Sequence, residues 1–421
     1  MVLLQSDRRN FQSVGFGSAR LNGMAISFRQ FKLAVFTLEG LNAFATGLYF
    51  NWLFFFTERQ LHFGVSENLR LVALHGLVYT GSSWLGGWFA HRVGNYRALK
   101  LGFSIMLAAL GAGFFLHSSA AQIIVLLAWT FGVCFTWPTL QSLISEGESS
   151  SRMPRMAGIY NIVWSGVSAV SFFIGGALFE KLGVASMFWV PVLIHLGQLG
   201  MVFWMERTKV NVAHDPARQI LPQPVLPVDQ KNSVARKTFL RFALLTNPFA
   251  YVAINTAIPM IPEVANRFHL SPMWAGFFCS LWFFARMGAF ILFWLWPGWH
   301  YRFGILLGAK ILLIASFLGV LLAPQLWVML LAQVIFGMSV GLIYYSSLYY
   351  SMEGGSSRKS GRHGGLHEAM IGLGTFLGAL VGASAKQFYP AVAGISIWSV
   401  AGLLLIGLCG LIWLRYRKET S

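Results

Sequence analysis

LAVFTLEGLNAFATGLYFNWLFFF, residues 33–56, is the stretch that decides the fold. It is 24 residues long, enough to cross a bilayer as a single helix. This apolar run contains one ionisable side chain, Glu39, and helical spacing places Asn42, Thr46 and Tyr49 on the same face. A carboxyl group is costly in hydrocarbon, so this face is expected either to line a wet pathway or to pair with another helix.

The composition is that of an integral membrane protein. Of 421 residues, 56% are hydrophobic and 11% charged, whereas soluble domains average about 25% charged. The three cysteines lie inside apolar runs, and their spacing predicts neither a disulfide framework nor a metal site. No phosphate loop with its lysine is present, so the sequence predicts no ATPase, no enzyme and no cofactor.

Twelve apolar spans predict an all-α membrane protein made of two six-helix bundles. We expect a tail at 1–31, a first bundle at 32–205, a linker at 206–238, a second bundle at 239–414 and a tail at 415–421. The four prolines of the linker and its lack of apolar periodicity indicate a connection between halves. The predicted spans are 33–56, 68–90, 97–116, 121–144, 156–180, 185–205, 240–262, 272–296, 302–322, 325–349, 363–388 and 391–414.

The basic residues predict the orientation. Of 31 lysines and arginines, 24 lie in the tails and the loops on the same side as the tails, and only five lie in the opposite loops. This asymmetry predicts that both termini and the linker are cytoplasmic. It also accounts for most of the net charge of +17, which we assign to contact with anionic lipids and not to nucleic-acid binding.

The two halves repeat each other at an offset of about 205 residues. Both copies begin on the same side, so they are parallel repeats, as expected for two halves related by an axis along the membrane normal. The matching pairs include Asn42 with Asn247, Glu58 with Glu263, Tyr96-Arg97 with Tyr301-Arg302, and Phe131-Gly132 with Phe336-Gly337.

The loop after the second span resembles a motif of the major facilitator superfamily, and the wider resemblance covers residues 32–414. The motif is glycine, three residues, Asp-Arg, one residue, glycine and then basic residues. Gly87, Arg92, Gly94 and Arg97 fit it, whereas His91 stands at its acidic position. In the family that acid helps to latch the halves on the cytoplasmic side, so His91 implies a lost or pH-sensitive latch.

Two acid–arginine pairs resemble the cytoplasmic gate of that family. Glu146 with Arg152, and Glu353 with Arg358, follow the fourth and tenth spans. The alternative is that these are solvated loop charges. The glycines of the fifth and eleventh spans, including Gly158 and Gly372, permit close helix packing, and the resemblance implies that these two helices contact the opposite half.

The resemblance also implies a central cavity lined by spans 1, 4, 7 and 10, with spans 2, 5, 8 and 11 beside them. Polar side chains at helical spacing on these spans are candidates for that cavity, although interhelical packing would explain any single stripe. The candidates are Asn42, Thr46, Tyr49, His75, Tyr79, Trp137, Gln141, Asn161, Asn247, Tyr251, Asn255, Arg286, Gln333 and Tyr344.

Charged residues within the spans are candidates for coupling and substrate binding. We expect Glu39 first, then Glu368 with its neighbour His367, to carry a proton, since a carboxyl whose hydration changes can load and release one. Arg286 cannot lose its charge and needs a carboxylate or an anionic substrate. Lys310 is expected to extend to the cytoplasmic interface.

These features predict a monomeric secondary transporter of the bacterial cytoplasmic membrane. It is expected to move a small polar organic solute, such as an anion or a sugar, by alternating access coupled to H⁺. One alternative is a proton-driven exporter of amphipathic compounds, which the 16 tryptophans and 37 phenylalanines favour. The other is a transporter-like receptor that moves nothing, which would lack a cavity.

Overall fold

The computed structural model describes residues 25–148, 152–211, 230–353 and 360–417. These residues form two six-helix bundles, α1–α6 and α7–α12. The helices are α1 Phe28–Leu61, α2 Val65–Val93, α3 Asn95–Phe115, α4 Ser119–Ser145, α5 Met153–Lys181, α6 Ser186–Arg207, α7 Gln230–Ala257 with Ile261–Arg267, α8 Pro272–Cys279 with Leu281–Leu295, α9 Phe303–Leu322, α10 Leu326–Glu353, α11 Ser360–Phe388 and α12 Ile395–Tyr416.

Among the described residues, eleven helices are long and apolar enough to cross a membrane, and α2 falls short of that criterion. Its polar side chains lower its mean hydropathy, and α2 packs against both α4 and α11. Hydropathy alone therefore does not identify α2 as a spanning helix, although its position in the first bundle makes it the twelfth.

Short strands join the beginning of α1 to the end of α6. β1, Ala25–Ser27, pairs in parallel with β2, Lys209–Asn211. Ser27 then caps α1 by accepting from the Gln30 amide at 3.2 Å. The sequence predicts these segments as tail and linker, because three-residue strands leave no periodic signal. α7 also begins at Gln230, within the predicted linker, while residues 212–229 lie outside the described chain.

Pro259 and Pro262 interrupt α7 near its end. The α-helix ends at Ala257, and the 3₁₀ turn Ile258–Met260 connects it to Ile261–Arg267. Proline cannot donate the backbone hydrogen bond that a continuous α-helix requires. A second 3₁₀ turn, Pro297–Trp299, precedes α9.

The two bundles pack through α2 against α11 and α5 against α8. This confirms that the fifth and eleventh helices contact the opposite half. Glycine permits the approach: a Cβ on Gly76 would lie 2.8 Å from the Phe376 Cα, and one on Gly372 would lie 2.7 Å from the Thr80 amide nitrogen.

Three polar contacts join the halves at the end of the bundle where α1 ends and α2 begins. Asn266 donates to Glu58 at 2.8 Å, and Arg70 donates to Gln387 at 3.2 Å. The Met273 amide donates to the Glu180 carboxylate at 3.0 Å. This end, opposite the face that carries the start of α1, is therefore held closed.

Lys310 differs from its prediction. It is fully buried within α9, with its ammonium 4.3 Å from the centre of the Phe249 ring of α7. The prediction of an interfacial lysine is wrong, because hydropathy does not show that α7 covers this face of α9.

Candidate functional site: a cavity between the two halves

A cavity of about 140 Å³ lies between the bundles. Its lining residues come from α1, α2, α4 and α5 of the first half and α7, α8, α10 and α11 of the second. These are the eight helices that the resemblance implies. Because both halves supply walls, a ligand held here would contact each of them.

Ten of the predicted candidates lie in the wall of this cavity. They are spread over seven helices, and some bond to their neighbours, as His75 does to Thr130 at 2.7 Å and Asn255 to Thr375 at 2.8 Å. The ten are Thr46, His75, Tyr79, Trp137, Gln141, Tyr251, Asn255, Arg286, Tyr344 and Glu368.

Two candidates on α1 lie elsewhere. Asn42 is buried and donates to Thr136 of α4 at 3.2 Å. Tyr49 packs between the rings of Trp129 and Phe188, with centroids 4.8 and 6.0 Å away. Both therefore join helices within the first half, because the helical face that they share with Thr46 is wider than the strip of α1 that reaches the cavity.

Three candidates of the second half are also packed between helices. Gln333 donates to the Phe278 carbonyl of α8 at 3.0 Å. Asn247 is buried in α7, and His367 lies 3.3 Å from the Ser347 hydroxyl of α10. None of the three lines the cavity among the described residues.

Asn161 acts on the cavity through another residue. Its side-chain oxygen accepts from the indole N–H of Trp164, one turn along α5, at 3.0 Å. Trp164 itself lines the cavity. The sequence predicts Asn161 as a lining residue, whereas the structure makes it a residue that fixes the orientation of Trp164.

Six of the lining residues that sequence reasoning missed are aromatic. Aromatic side chains are also enriched at lipid interfaces, so their presence in a span does not indicate a binding site. Their only distinguishing signal is position on the same helical face as a polar candidate. The missed aromatic lining residues are Phe50, Trp129, Tyr160, Trp164, Trp282 and Phe283.

Glu368 joins the halves within the cavity wall. One carboxyl oxygen accepts from the Tyr79 hydroxyl at 2.7 Å, and the other accepts from the Gln141 amide at 3.0 Å. Both donors belong to the first half, while Glu368 belongs to α11 of the second. Hydrogen bonds to an ionised carboxylate are about twice as strong as neutral ones, so this junction is stronger with an ionised carboxylate than with a neutral acid.

Glu39 lies outside the cavity. Its carboxyl group is fully buried, and neither oxygen has a hydrogen bond of good geometry within the described residues. Tyr160 and Glu368 are its nearby polar neighbours. The predicted polar face of the first span therefore reaches the cavity at Thr46 but not at Glu39, which is shielded by neighbouring helices.

Arg286 lies in the cavity wall with aromatic rings around its guanidinium. The centres of the Trp164, Trp282 and Phe283 rings are 4.5, 5.1 and 5.1 Å away. Its Nε has no hydrogen-bond partner among the described residues. The ion pairs within that part of the chain are Lys32–Glu148 and Lys100–Glu206, so the arginine is not paired with Glu39 or Glu368.

The motif after α2 lies at the surface. Gly94 has φ of 103° between α2 and α3, a conformation that favours glycine. His91, Arg92 and Arg97 are exposed, and Arg92 stacks on Trp88 with its guanidinium 5.2 Å from the ring centre. Gly87 has open space beside it.

The predicted gate is described only in part. Glu146 is exposed and Arg152 half-buried, whereas Arg358 and the side chain of Glu353 lie outside the described residues. Lys32 makes contacts in this region that the sequence does not predict. Its ammonium donates to the Leu143 carbonyl at 3.2 Å and to the Glu146 carbonyl at 2.7 Å, and it lies 3.5 Å from the Glu148 carboxylate.

The sequence profile described as Major Facilitator Superfamily matches residues 10–172 and 148–379, which together span most of the chain. The chain belongs to this superfamily. As a superfamily member, it is a multi-pass membrane transporter of small molecules and not an enzyme.

Solved structures share the superfamily fold with this chain at low sequence identity. The nucleoside transporter NupG aligns with a TM-score of 0.65 and 16% identity, over 92% of this chain and 100% of that chain. The peptide transporter POT in complex with sulfate gives 0.68 and 14%, over 92% and 94%. The human organic anion transporter MFSD10 gives 0.64 and 16%, over 91% and 99%. Comparison with curated protein sequences finds no match.

Proposed function

We propose that this superfamily member is a secondary active transporter that couples the movement of a small polar organic solute to H⁺ through Glu368. The observation that carries the proposal is the position of Glu368, in the cavity wall and hydrogen-bonded to Tyr79 and Gln141 of the opposite half. The surroundings of a carboxyl group at this position change both when the cavity is occupied and when the halves separate.

Protonation of Glu368 supplies the coupling step. The charged carboxylate accepts from both donors and holds the halves together, whereas the neutral acid loses the charge that strengthens these bonds. A proton taken up here therefore favours separation of α11 from α2 and α4, which is the motion that alternating access requires. Glu39 becomes the second candidate, because the surrounding helices separate it from the cavity.

The compared structures are those of nucleoside, peptide and organic anion transporters, which supports transport but does not select a substrate. The second candidate function is an exporter of amphipathic compounds, because the aromatic side chains of the cavity wall would also contact such compounds. A non-transporting receptor is disfavoured by a cavity shared between both halves. The cytoplasmic position of the termini, the bacterial membrane and the monomeric state belong to the same proposal.

The test uses purified protein in liposomes loaded with a pH-sensitive dye. A panel of sugars, nucleosides, amino acids, carboxylates and cationic dyes is applied in turn, and at least one solute is expected to drive H⁺ flux with the wild type. Glu368→Gln should abolish that flux while keeping exchange of the same solute between equal pools, since exchange moves no net proton.

Glu39→Gln is the matched control, because it removes a buried carboxyl of the same size outside the cavity. Solute-driven H⁺ flux that survives in Glu368→Gln would contradict the assignment, and loss in Glu39→Gln alone would transfer the role to Glu39. Absence of flux and exchange for every solute would favour the receptor, while flux driven only by cationic dyes would favour the exporter.

A further inference from the structure

We infer that the solute is a carboxylate with a single flat ring, and that Arg286 binds its carboxylate while the surrounding aromatic residues hold the ring. This inference rests on the proposed function and specifies the substrate class of the same cavity. Its evidence is the charge, shape and size of the cavity, which are independent of Glu368 as the proton carrier.

The charge of the cavity wall is incomplete without an anion. Arg286 is 4% exposed and keeps its charge under all physiological conditions. Glu368, the carboxylate that shares this wall, is engaged by Tyr79 and Gln141. The guanidinium has no acidic partner within 4.0 Å among the described residues, and its Nε is unpaired. A buried cation of this kind requires a counter-charge, and the cavity gives an anionic ligand access to it.

The rings around Arg286 favour a flat body next to the anion. Trp164, Trp282 and Phe283 lie around the guanidinium at 4.5 to 5.1 Å, and no hydrogen bond within the described residues occupies its donors, which remain for a planar acceptor. Guanidinium and carboxylate match in bidentate geometry, which an ammonium group cannot copy. The remaining wall carries further aromatic side chains, including Phe50, Tyr79 and Tyr344, against which a ring packs in offset or edge-to-face geometry.

The size of the cavity limits the body to about one ring. Its volume is about 140 Å³. An apolar cavity of about 150 Å³ in another protein accommodates benzene. A single ring therefore matches this volume, whereas a two-ring body, or a nucleoside with its base and sugar, would have to extend beyond it, and a sugar of suitable size would leave the arginine without its counter-charge.

The two parts of the proposed site belong to different halves. Arg286 is on α8, and Trp164 is on α5, the helices that pack across the interface. A ring held against Trp164 while its carboxylate contacts Arg286 would join the halves in the same way that Glu368 does. Substrate and proton would then act on the same interface from two points of the cavity wall.

Benzoate is the first probe, and its neutral analogue benzamide is the matched ligand control. Binding is measured by thermal shift of the purified protein and transport by counterflow of labelled benzoate in liposomes. Benzamide should bind about tenfold more weakly or worse, because charge-assisted hydrogen bonds are about twice as strong as neutral ones. Acetate should bind weakly because it lacks the ring.

Variants separate the charge from its surroundings. Arg286→Lys and Trp164→Ala should both lose benzoate counterflow, and Trp164→Phe should keep part of it. Lys310→Met is the control for a change at a buried cation next to an aromatic ring, because Lys310 lies on α9 outside the cavity. Thermal unfolding of each variant, measured without ligand, identifies a loss caused by misfolding.

Benzamide binding as tightly as benzoate, or full counterflow in Arg286→Lys, would overturn the inference. So would H⁺ flux driven by a sugar or a nucleoside but by no carboxylate, and this result would leave the proposed transporter intact. Loss of benzoate binding in Lys310→Met to the same extent as in Arg286→Lys would show a general effect of altering a buried cation and would also overturn the inference.

Discussion

At the scale of single residues, two buried cations of the second half, Arg286 and Lys310, lie next to aromatic rings. Arg286 contacts three rings in the cavity wall, and Lys310 contacts Phe249 between helices. A desolvated cation–π contact contributes about 2 kcal/mol, which offsets only part of the cost of burying a charge. Their surroundings differ: Arg286 borders a cavity that an anion can enter, whereas Lys310 is enclosed by helices.

Asn161 provides the residue-scale prediction. Replacing it with alanine leaves the Trp164 indole N–H without its acceptor, at a cost of about 1–3 kcal/mol, unless the ring turns. If the ring turns, we expect the affinity for the transported solute to fall about fivefold, which corresponds to about 1 kcal/mol of binding free energy. The maximal rate should change less. The KM and the maximal rate of uptake into liposomes measure the two effects.

Asn68→Ala is the matched control for this change. Asn68 also accepts from a buried donor, the Thr57 hydroxyl, at 2.7 Å, but it lies outside the cavity. Asn68→Ala should lower thermal stability and leave the KM unchanged. Equal KM values for Asn161→Ala and the wild type would show that Asn161 does not position Trp164 for solute binding.

At the scale of helices, charge and close packing fix how neighbours meet. Lys32 of α1 binds the last carbonyls of α4, where unsatisfied acceptors and the negative end of the helix dipole favour a cation. Glu148 completes the cluster at 3.5 Å. This contact ties the two helices of the first half together on the face where α1 begins.

Gly76 provides the helix-scale prediction. Alanine there places a Cβ 2.8 Å from the Phe376 Cα of α11, so α2 and α11 must separate. We expect transport to fall strongly and the midpoint of thermal unfolding to decrease, although alanine favours a helix by about 1 kcal/mol over glycine. Uptake and unfolding are measured on the same purified sample.

Gly81→Ala on the same helix is the control, since its Cβ would meet no atom within 4 Å. It should transport normally with equal or greater stability. If Gly76→Ala behaves like Gly81→Ala, the close approach of α2 and α11 is not needed for function.

At the scale of the whole molecule, the halves meet along two helix pairs and close the end away from the start of α1. The polar contacts there include those between Glu58 and Asn266 and between Arg70 and Gln387, whereas the glycine contacts along α2 and α11 are steric. Polar contacts of this kind can separate into water, and packed helices can rock against each other. The arrangement suits an end that opens during transport.

The orientation is the whole-molecule prediction. The distribution of lysine and arginine places the termini in the cytoplasm, so a cysteine at Ser118, between α3 and α4, should react with a membrane-impermeant thiol reagent in intact cells. A cysteine at Arg417 should react only after the cells are made permeable. Both positions are exposed, and the background carries Cys409→Ser because Cys409 is the exposed native cysteine within the described residues. The reverse labelling pattern would invert the topology.

The sequence by itself determined the membrane class, the twelve helices, the parallel repeat and the family. These follow from the length and polarity of each span and from the spacing of motif residues, which are local properties. It also selected most of the polar cavity residues, because helix periodicity and the family resemblance together indicate which faces turn inward. Glu368 and Arg286 were recognisable as charges that need partners.

Only the tertiary structure decided which neighbour each of these side chains has. Glu39 and Tyr49 share a helical face with Thr46, but the packing of the adjacent helices covers the first two and leaves the third at the cavity. The aromatic wall, the position of Trp164 over Arg286 and the bonds from Tyr79 and Gln141 to Glu368 join residues more than a hundred positions apart. Periodicity reports the face of one helix, whereas burial and contact depend on the helix that covers it.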